Sequence, residues 1–486
     1  MAATTTAPTV PADLDALVRV GPRDELAPVT VVSGGRHGIA VFAVAGGERV
    51  YAVDNRCPHM GFPLHKGSVR DGILTCHWHH ARFDLASGGT FDQFADDVQT
   101  YAVVNDDGIV YVDPRSHRAD RVDHAKERLR DGLEQSINLV LAKNVLALLE
   151  AGVAPAEVLA IGGAFGARYR EAGWRSGLTI LTAMGNILPR LDPDDRVFAL
   201  YHGLVNVARD CAGQPPRHPL DSLPEAATPP DRLKAWFRQF VEVRDSDGAE
   251  RALLTAVTND PAPAVLADLL ASAGTDHAFL DGGHTLDFVN KARELLDLIG
   301  WEHAAAILPS LTPVLAASRR SEELNSWRHP VDLIALLDPV FARLDDLAAR
   351  AGADPAWHAS DEFIATLHGD DPAAIVAALT TALEVGAPPT AVTRAVSYAA
   401  ALRVARFHTS NEFGDWITVL HTFTYANATH QLMRRSPSAA LLRGVYHGAL
   451  SLYLDRFLNM PAARLSHERP AGLETLPVEP GALLAH

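Results

Sequence analysis

The sequence predicts a multidomain chain of two unlike parts: a small antiparallel all-β domain, then a large all-α domain built as a helical bundle or a HEAT-like array. Three observations carry this reading. At 486 residues the chain exceeds what one hydrophobic core usually organises. Short strand-like runs split by Gly, Asp and Asn turns fill its beginning and then stop. Beyond them, apolar residues recur at spacings of three and four, the period of helices with one buried face.

The elements follow in order. Over residues 15–113, VTVV, IAVFAV, RVYAV, GILTCHW, QTYAVV and GIVYV have strand length and β-branched or aromatic content, and SGG, AGGE, RDG and NDDG supply the turns. Residues 114–122, within the polar stretch DPRSHRADRVDHAK, read as a linker. Residues 123–465 read as helical, as in ERLRDGLEQSINLVLAKNVLALLEAG, PPDRLKAWFRQFVEV and AAIVAALTTALEVG. Residues 466–486 form a loosely held tail.

The helical part repeats itself. LLEAGVAPAEVLA (148–160), LLTAVTNDPAPAVLA (253–267) and ALEVGAPPTAVTRA (382–395) each join two helices through a Pro-marked turn. HTLDFVN (284–290) matches HTFTYAN (421–427), and ILTAMGN (180–186) keeps the frame without a histidine. YHGLVNVARD (201–210) pairs with YHGALSLYLD (446–455). A three-fold helical repeat is the expectation.

Composition narrows the classes of function. With 48% hydrophobic and 21% charged residues the chain has ample core material, and its net charge of -16 argues against nucleic acid and anionic membrane surfaces as partners. Three cysteines cannot build a disulfide framework and suit a reducing compartment. The start, MAATTTAPTVPADLDALVRV, has no basic n-region or apolar leader, and the most apolar run, INLVLAKNVLALL, is interrupted by Lys143 and Asn144. A cytoplasmic protein is expected. Cys211, at a helix end without a nearby thiol or base, reads as structural.

Four residues stand out in the β-domain. Cys57 and His59 are separated by one residue, Cys76 and His79 by two, and each pair adjoins a strand-like run. Two short loops could therefore pinch a metal centre. Thiolate and imidazole together suit iron or zinc, so this ligand set alone leaves both open.

The text around them decides for iron. CPHMGFPLHKG and CHWHHARFD resemble the two loops of the Rieske [2Fe-2S] family, and VYAVDNRCPH and FDLASGGTFD extend the likeness over nearly the whole β-domain. The resemblance implies that Cys57 and Cys76 hold one iron and His59 and His79 the other, giving a higher potential than an all-Cys cluster. It also implies that His59 and His79 reach the surface as the exit for the electron, and that an NAD(P)H-dependent reductase is the donor. The extra loop cysteines of respiratory-chain members are replaced by Met60, Gly61, Phe62 and Trp78, so the domain resembles the ferredoxins and oxygenase domains of aromatic-ring dioxygenase systems. His80 departs from the pattern, which usually has Gly there. His65 and His77 read as ordinary loop histidines.

The helical part lacks the D/NxxHxxxxH iron motif of ring-hydroxylating oxygenases: starting from Asn427 and His430, the next position falls on Arg435. Its own histidines are the alternative. His202, His284, His421 and His447 lie in apolar helical text, where an imidazole must find a partner. Lys291 and Asp287 share a helix face with His284. The helical part faintly resembles the questin oxidase-like family, which implies a mononuclear non-haem iron held by His202, His284, His421 and His447, with Lys291 or Lys143 as a carboxylated lysine. The expectation is a Rieske-dependent oxygenase that spends O2 on a small aromatic or polyketide-like substrate. The alternatives are a redox-responsive binding or assembly protein and a plain electron carrier whose helices dock a partner.

Overall fold

The computed structural model describes residues 16–44, 48–115, 121–224, 228–259, 262–459, 462–465 and 477–485. Residues 116–120 of the expected linker and 466–476 of the expected tail lie outside these. The chain forms two compact units, residues 1–158 with 192–208, and residues 159–191 with 209–486.

The first unit opens with ten strands: β1 (Val18–Pro22), β2 (Val29–Val32), β3 (Ile39–Val44), β4 (Arg49–Asp54), β5 (Ser68–Arg70), β6 (Ile73–Thr75), β7 (Arg82–Asp84), β8 (Thr100–Tyr101), β9 (Val103–Asp106) and β10 (Ile109–Val112). They pair antiparallel in three sheets, β1-β10-β9, β2-β3-β4-β8 and β5-β6-β7. Each run named from the sequence contains a strand, and β1, β5 and β7 are additional. The hairpins β5–β6 and β9–β10 turn on Asp71-Gly72 and Asp107-Gly108, with φ of 51°, 79°, 46° and 77°. Two successive left-handed residues match the twist of the flanking strands, which is why Asp-Gly stands at both turns. Central strand β3 is buried on both faces: Ala40 and Phe42 join the core that holds Cys57 and Cys76, whereas Ile39 and Val41 join a second core with Tyr101 and Val112.

The unit continues past the strands into α1 (Arg121–Glu134) and α2 (Asn138–Glu150). Leu129, Leu133, Leu141, Val145 and Leu148 are fully buried, the apolar stripe that a helical period requires. Gly132 lets the hairpin close, since a Cβ there would stand 2.9 Å from Leu141. A left-handed Ser136 reverses the chain between the helices.

The remaining helices are α3 (Pro155–Arg168), α4 (Ser176–Ile187), α5 (Pro193–Cys211), α6 (Pro230–Glu242), α7 (Ser246–Thr258), α8 (Pro263–Asp276), α9 (His284–Ile299), α10 (Ala304–Ile307), α11 (Thr312–Ala317) and α12 (Asn325–Arg328). After them come α13 (Leu333–Phe341), α14 (Leu344–Arg350), α15 (Asp361–Leu367), α16 (Pro372–Glu384), α17 (Pro389–Ala405), α18 (Phe413–Arg435), α19 (Ala439–Leu454) and α20 (Pro480–Ala485). Most of α5 belongs to the first unit. The three Pro-marked turns open α3, α8 and α17, each with proline as its first helical residue, where the missing N–H costs nothing. ILTAMGN, HTLDFVN and HTFTYAN lie on α4, α9 and α18, and α9 packs against both of the others. These three like segments thus fall on helices of the second unit that touch through α9. No described helix is long and apolar enough to cross a membrane.

Candidate metal centre

The loop between β4 and β5 carries Cys57 and His59, and the loop between β6 and β7 carries Cys76 and His79. Each is a tight backbone knuckle. The Cys57 amide donates to the Phe62 carbonyl at 2.8 Å and the Gly61 amide to the Cys57 carbonyl at 2.8 Å, while the Cys76 amide donates to the Ala81 carbonyl at 2.8 Å. Asn55 Oδ1 braces the first loop by accepting from the backbone amide and Nδ1 of His65, both at 2.9 Å. His65 is therefore a structural clasp, and His77 is exposed.

The four side chains meet at the ends of these loops. Both thiols are buried in one core with Leu64, Leu74 and Phe83. The imidazoles of His59 and His79 lie edge to face with ring centroids 4.7 Å apart. Burial first, and then the neighbouring Cys76 thiol, push the Cys57 thiol up to about 11. Burial thus favours the protonated Cys57 thiol until a metal displaces the proton. His59 Nδ1 is buried with no hydrogen-bond partner in the described structure, as expected of a lone pair reserved for a metal. Paired thiols, paired imidazoles and that orphan nitrogen fit a [2Fe-2S] group, with Cys57 and Cys76 on one iron and His59 and His79 on the other.

His80 now has a physical explanation. Its φ is 59°, in the left-handed region where a Cβ is strained and glycine is not. The site tolerates a side chain because His80 is exposed. Around it, Met60 and Trp78 are 54% and 57% exposed, and Trp78 stands 5.6 Å from both Phe62 and His79.

Helices α1 and α2 grip the same end of the unit. His124 Nε2 lies 2.9 Å from Asp96 Oδ1, and Arg128 donates to the Ala95 carbonyl at 2.7 Å. Neighbouring Phe94 lies edge to face against His59 at 4.9 Å. From α2, Lys143 Nζ donates to the carbonyls of Pro58 and His59. Its position in apolar text marks neither a snorkelling side chain nor a helical iron ligand. Its partner is the first cluster loop.

The helical histidines disperse. His202 is exposed on α5, in the first unit. His447 is fully buried 3.3 Å from the Tyr425 hydroxyl, with Phe341 and Trp327 at its ring edges, and burial drives it down to about 3. Lys291 Nζ donates to Glu294 at 2.9 Å, and Asn186 and Asn290, equivalent residues of two repeats, donate to the same carboxylate. His284 and His421 do meet, ring centroids 4.1 Å apart, on the wall of a cavity of about 580 Å³. His284 Nδ1 donates to the Asp281 carbonyl at 2.7 Å, which leaves Nε2 with its lone pair. Burial, then His284, pushes His421 down to about 4, and burial pushes Asp287 on the same wall up to about 6.

Sequence reasoning missed several features of this cavity. Trp174, Phe288, Arg170 and Arg175 also line it. The turn before His284 holds Phe279 and Asp281 left-handed at φ of 43° and 49°, strain of the kind that collects at functional sites. The repeat was the available signal: His284 and Asp287 occupy the positions that His421 and Thr424 occupy one repeat later, and all four line the cavity. Cys211 is buried, and burial pushes its thiol up to about 12, the inert structural role expected of it.

A family model agrees with the first site. Residues 16–102 match the Rieske [2Fe-2S] domain model. A 4beta-methylsterol monooxygenase of Methylococcus capsulatus is 48% identical over 46 residues, 10% of this chain and 12% of that protein's length. Among solved structures, the complex of reduced oxygenase and oxidized ferredoxin in carbazole 1,9a-dioxygenase is 21% identical, with TM-score 0.20, covering 21% of this chain and 95% of that one. The ferredoxin of carbazole 1,9a-dioxygenase from Nocardioides aromaticivorans IC177 is 28% identical, with TM-score 0.19, covering 21% of this chain and 99% of that one. With two thiols and two imidazoles gathered on two knuckles and a family model matching the same strands, residues 16–102 are a Rieske [2Fe-2S] domain.

Proposed function

We propose that this chain is a Rieske-type iron–sulfur oxidoreductase whose β-domain takes single electrons from a separate NAD(P)H-dependent reductase and whose helical unit binds the small molecule on which they are used. The chemistry the cluster supplies is one-electron transfer. The observation that carries the reading is the pairing of two buried thiols with two imidazoles on facing loops. His79 is exposed beside Trp78, which gives a donor an apolar and aromatic surface to dock on. A reducing cytoplasmic setting suits free cysteines.

The helical cavity supports the oxygenase form of this reading. His284 offers Nε2, His421 is held neutral, and Asp287 adds a carboxylate on the same wall, the donor types of a mononuclear non-haem iron open to O2. Trp174 and Phe288 give the cavity the apolar surface that an aromatic or polyketide-like substrate needs. A specific observation favours the plain electron carrier instead: of the other expected iron ligands, His202 is exposed, His447 is walled in by aromatic rings and Lys291 is paired with Glu294.

Iron stoichiometry decides between the two. The oxygenase form requires three irons per chain, one of them lost from a His284→Ala, His421→Ala double variant while cluster absorption and the EPR signal of the reduced protein persist. Two irons in both proteins would leave the carrier. A colourless protein holding zinc would end both readings.

A further inference from the structure

Lys143 lies 85 residues beyond Pro58 in sequence, on a helix that the β-domain does not need for its sheets. Its ammonium nevertheless ends on two successive carbonyls of the knuckle that bears Cys57 and His59. The contact helps to fasten the α1–α2 hairpin to this end of the first unit, beside His124 on Asp96 and Arg128 on Asp96 and on the Gln93 and Ala95 carbonyls. Among the described residues Lys143 forms no ion pair, and the nearby Asp96 is engaged by His124 and Arg128. The charge is therefore half-buried and turned toward the loop rather than spent on a carboxylate.

We propose that Lys143 is a positioning residue of the redox centre: it ties the His59 knuckle to α2 and holds a fixed positive charge there, which makes the centre easier to reduce. The physical reason is simple. Reduction adds one negative charge to the cluster, so a cation held nearby stabilises the reduced form more than the oxidised form. The two carbonyls set the distance by fixing the ammonium on the loop itself. The two histidines become unequal in consequence. His59 sits under α2 and Phe94, and His79 remains exposed for exchange with a partner.

The inference rests on the cluster assignment, and the test separates the two. Full-length wild-type protein and the variants K143M, K143Q and K143R are titrated with a redox mediator set, cluster content being measured by iron and visible absorption. The expected result is a fall of at least about tenfold in the reduction equilibrium for K143M, a midpoint shift of about 59 mV for one electron. K143Q, which keeps a donor for the carbonyls without the charge, should fall with it, whereas K143R should stay near wild type. Should K143M lose its cluster, K143Q carries the comparison. Equal midpoints for K143Q and wild type at full cluster content would overturn the charge effect and leave the Rieske assignment standing. Wild-type protein without a cluster would overturn both.

Discussion

Two pairs of histidines meet edge to face in this protein, and they have little else in common. His59 and His79 lie 4.7 Å apart on the ends of two β-loops, backed by two buried thiols and a lone pair with no protein partner. His284 and His421 lie 4.1 Å apart on helices α9 and α18, backed by a cavity, a buried carboxylate and a strained turn. Proximity of imidazoles does not make a metal centre. Two buried thiols beside the first pair supply the donor types that suit iron, whereas the second pair lies on a cavity wall shared with Trp174 and Phe288.

The comparison breaks most severely at the thiols. Cys76→Ser should abolish the visible chromophore and remove the cluster iron, and it should further destabilise the first unit by about 1–3 kcal/mol through a hydroxyl left in an apolar core. Iron analysis and thermal unfolding measure the two parts. An intact cluster in this variant would refute the ligand assignment.

A second contrast lies in how the two units treat buried carboxylates. Burial would raise Asp96, but its bond to His124 and the charges of His124 and Arg128 outweigh that and hold it below the usual carboxylate range. Its contribution is present above the unfolded-state value and fades as pH falls. Asp455 in the helical unit is the reverse. Burial, opposed by Thr422 and Arg403, pushes it up to about 7. The folded state thus keeps a proton that the unfolded chain has released, so Asp455 weakens the fold progressively as pH rises from about 4 to about 7. Asp455→Asn should stabilise by on the order of 2–4 kcal/mol at pH 8 and by nothing at pH 3, read from denaturant unfolding at both. An equal gain at both pH values would show that the effect is packing.

The smallest effect belongs to the knuckle itself. His80→Gly removes a left-handed side chain but frees the unfolded chain, for a net gain of roughly 1 kcal/mol or less. Thermal unfolding of the holoprotein checks it, and a loss of stability would mean that the imidazole makes a contact worth more than the strain.

Legibility tracked sequence separation. Cys57 with His59 and Cys76 with His79 could be read because each pair lies within one loop, where spacing alone constrains geometry. Asp71-Gly72 and Asp107-Gly108 were readable as turns for the same reason. The histidines on α5, α9, α18 and α19 could be gathered only by likeness of local text, and that likeness placed His284 beside His421 while leaving His202 exposed and His447 walled in by aromatic rings. Lys291 and Lys143 looked alike as charges in apolar helices. One is absorbed by Glu294, and the other reaches the cluster loop.

The order of strands and helices, the DG turns and the spacing of the two Cys/His pairs were determined by the sequence alone, since each depends on residues a few positions apart. Which helices meet, which histidine is exposed and which lysine reaches the iron–sulfur loop were decided by tertiary packing. Helical periodicity specifies a buried face but not what lies against it, so these contacts exist only once distant segments have chosen each other.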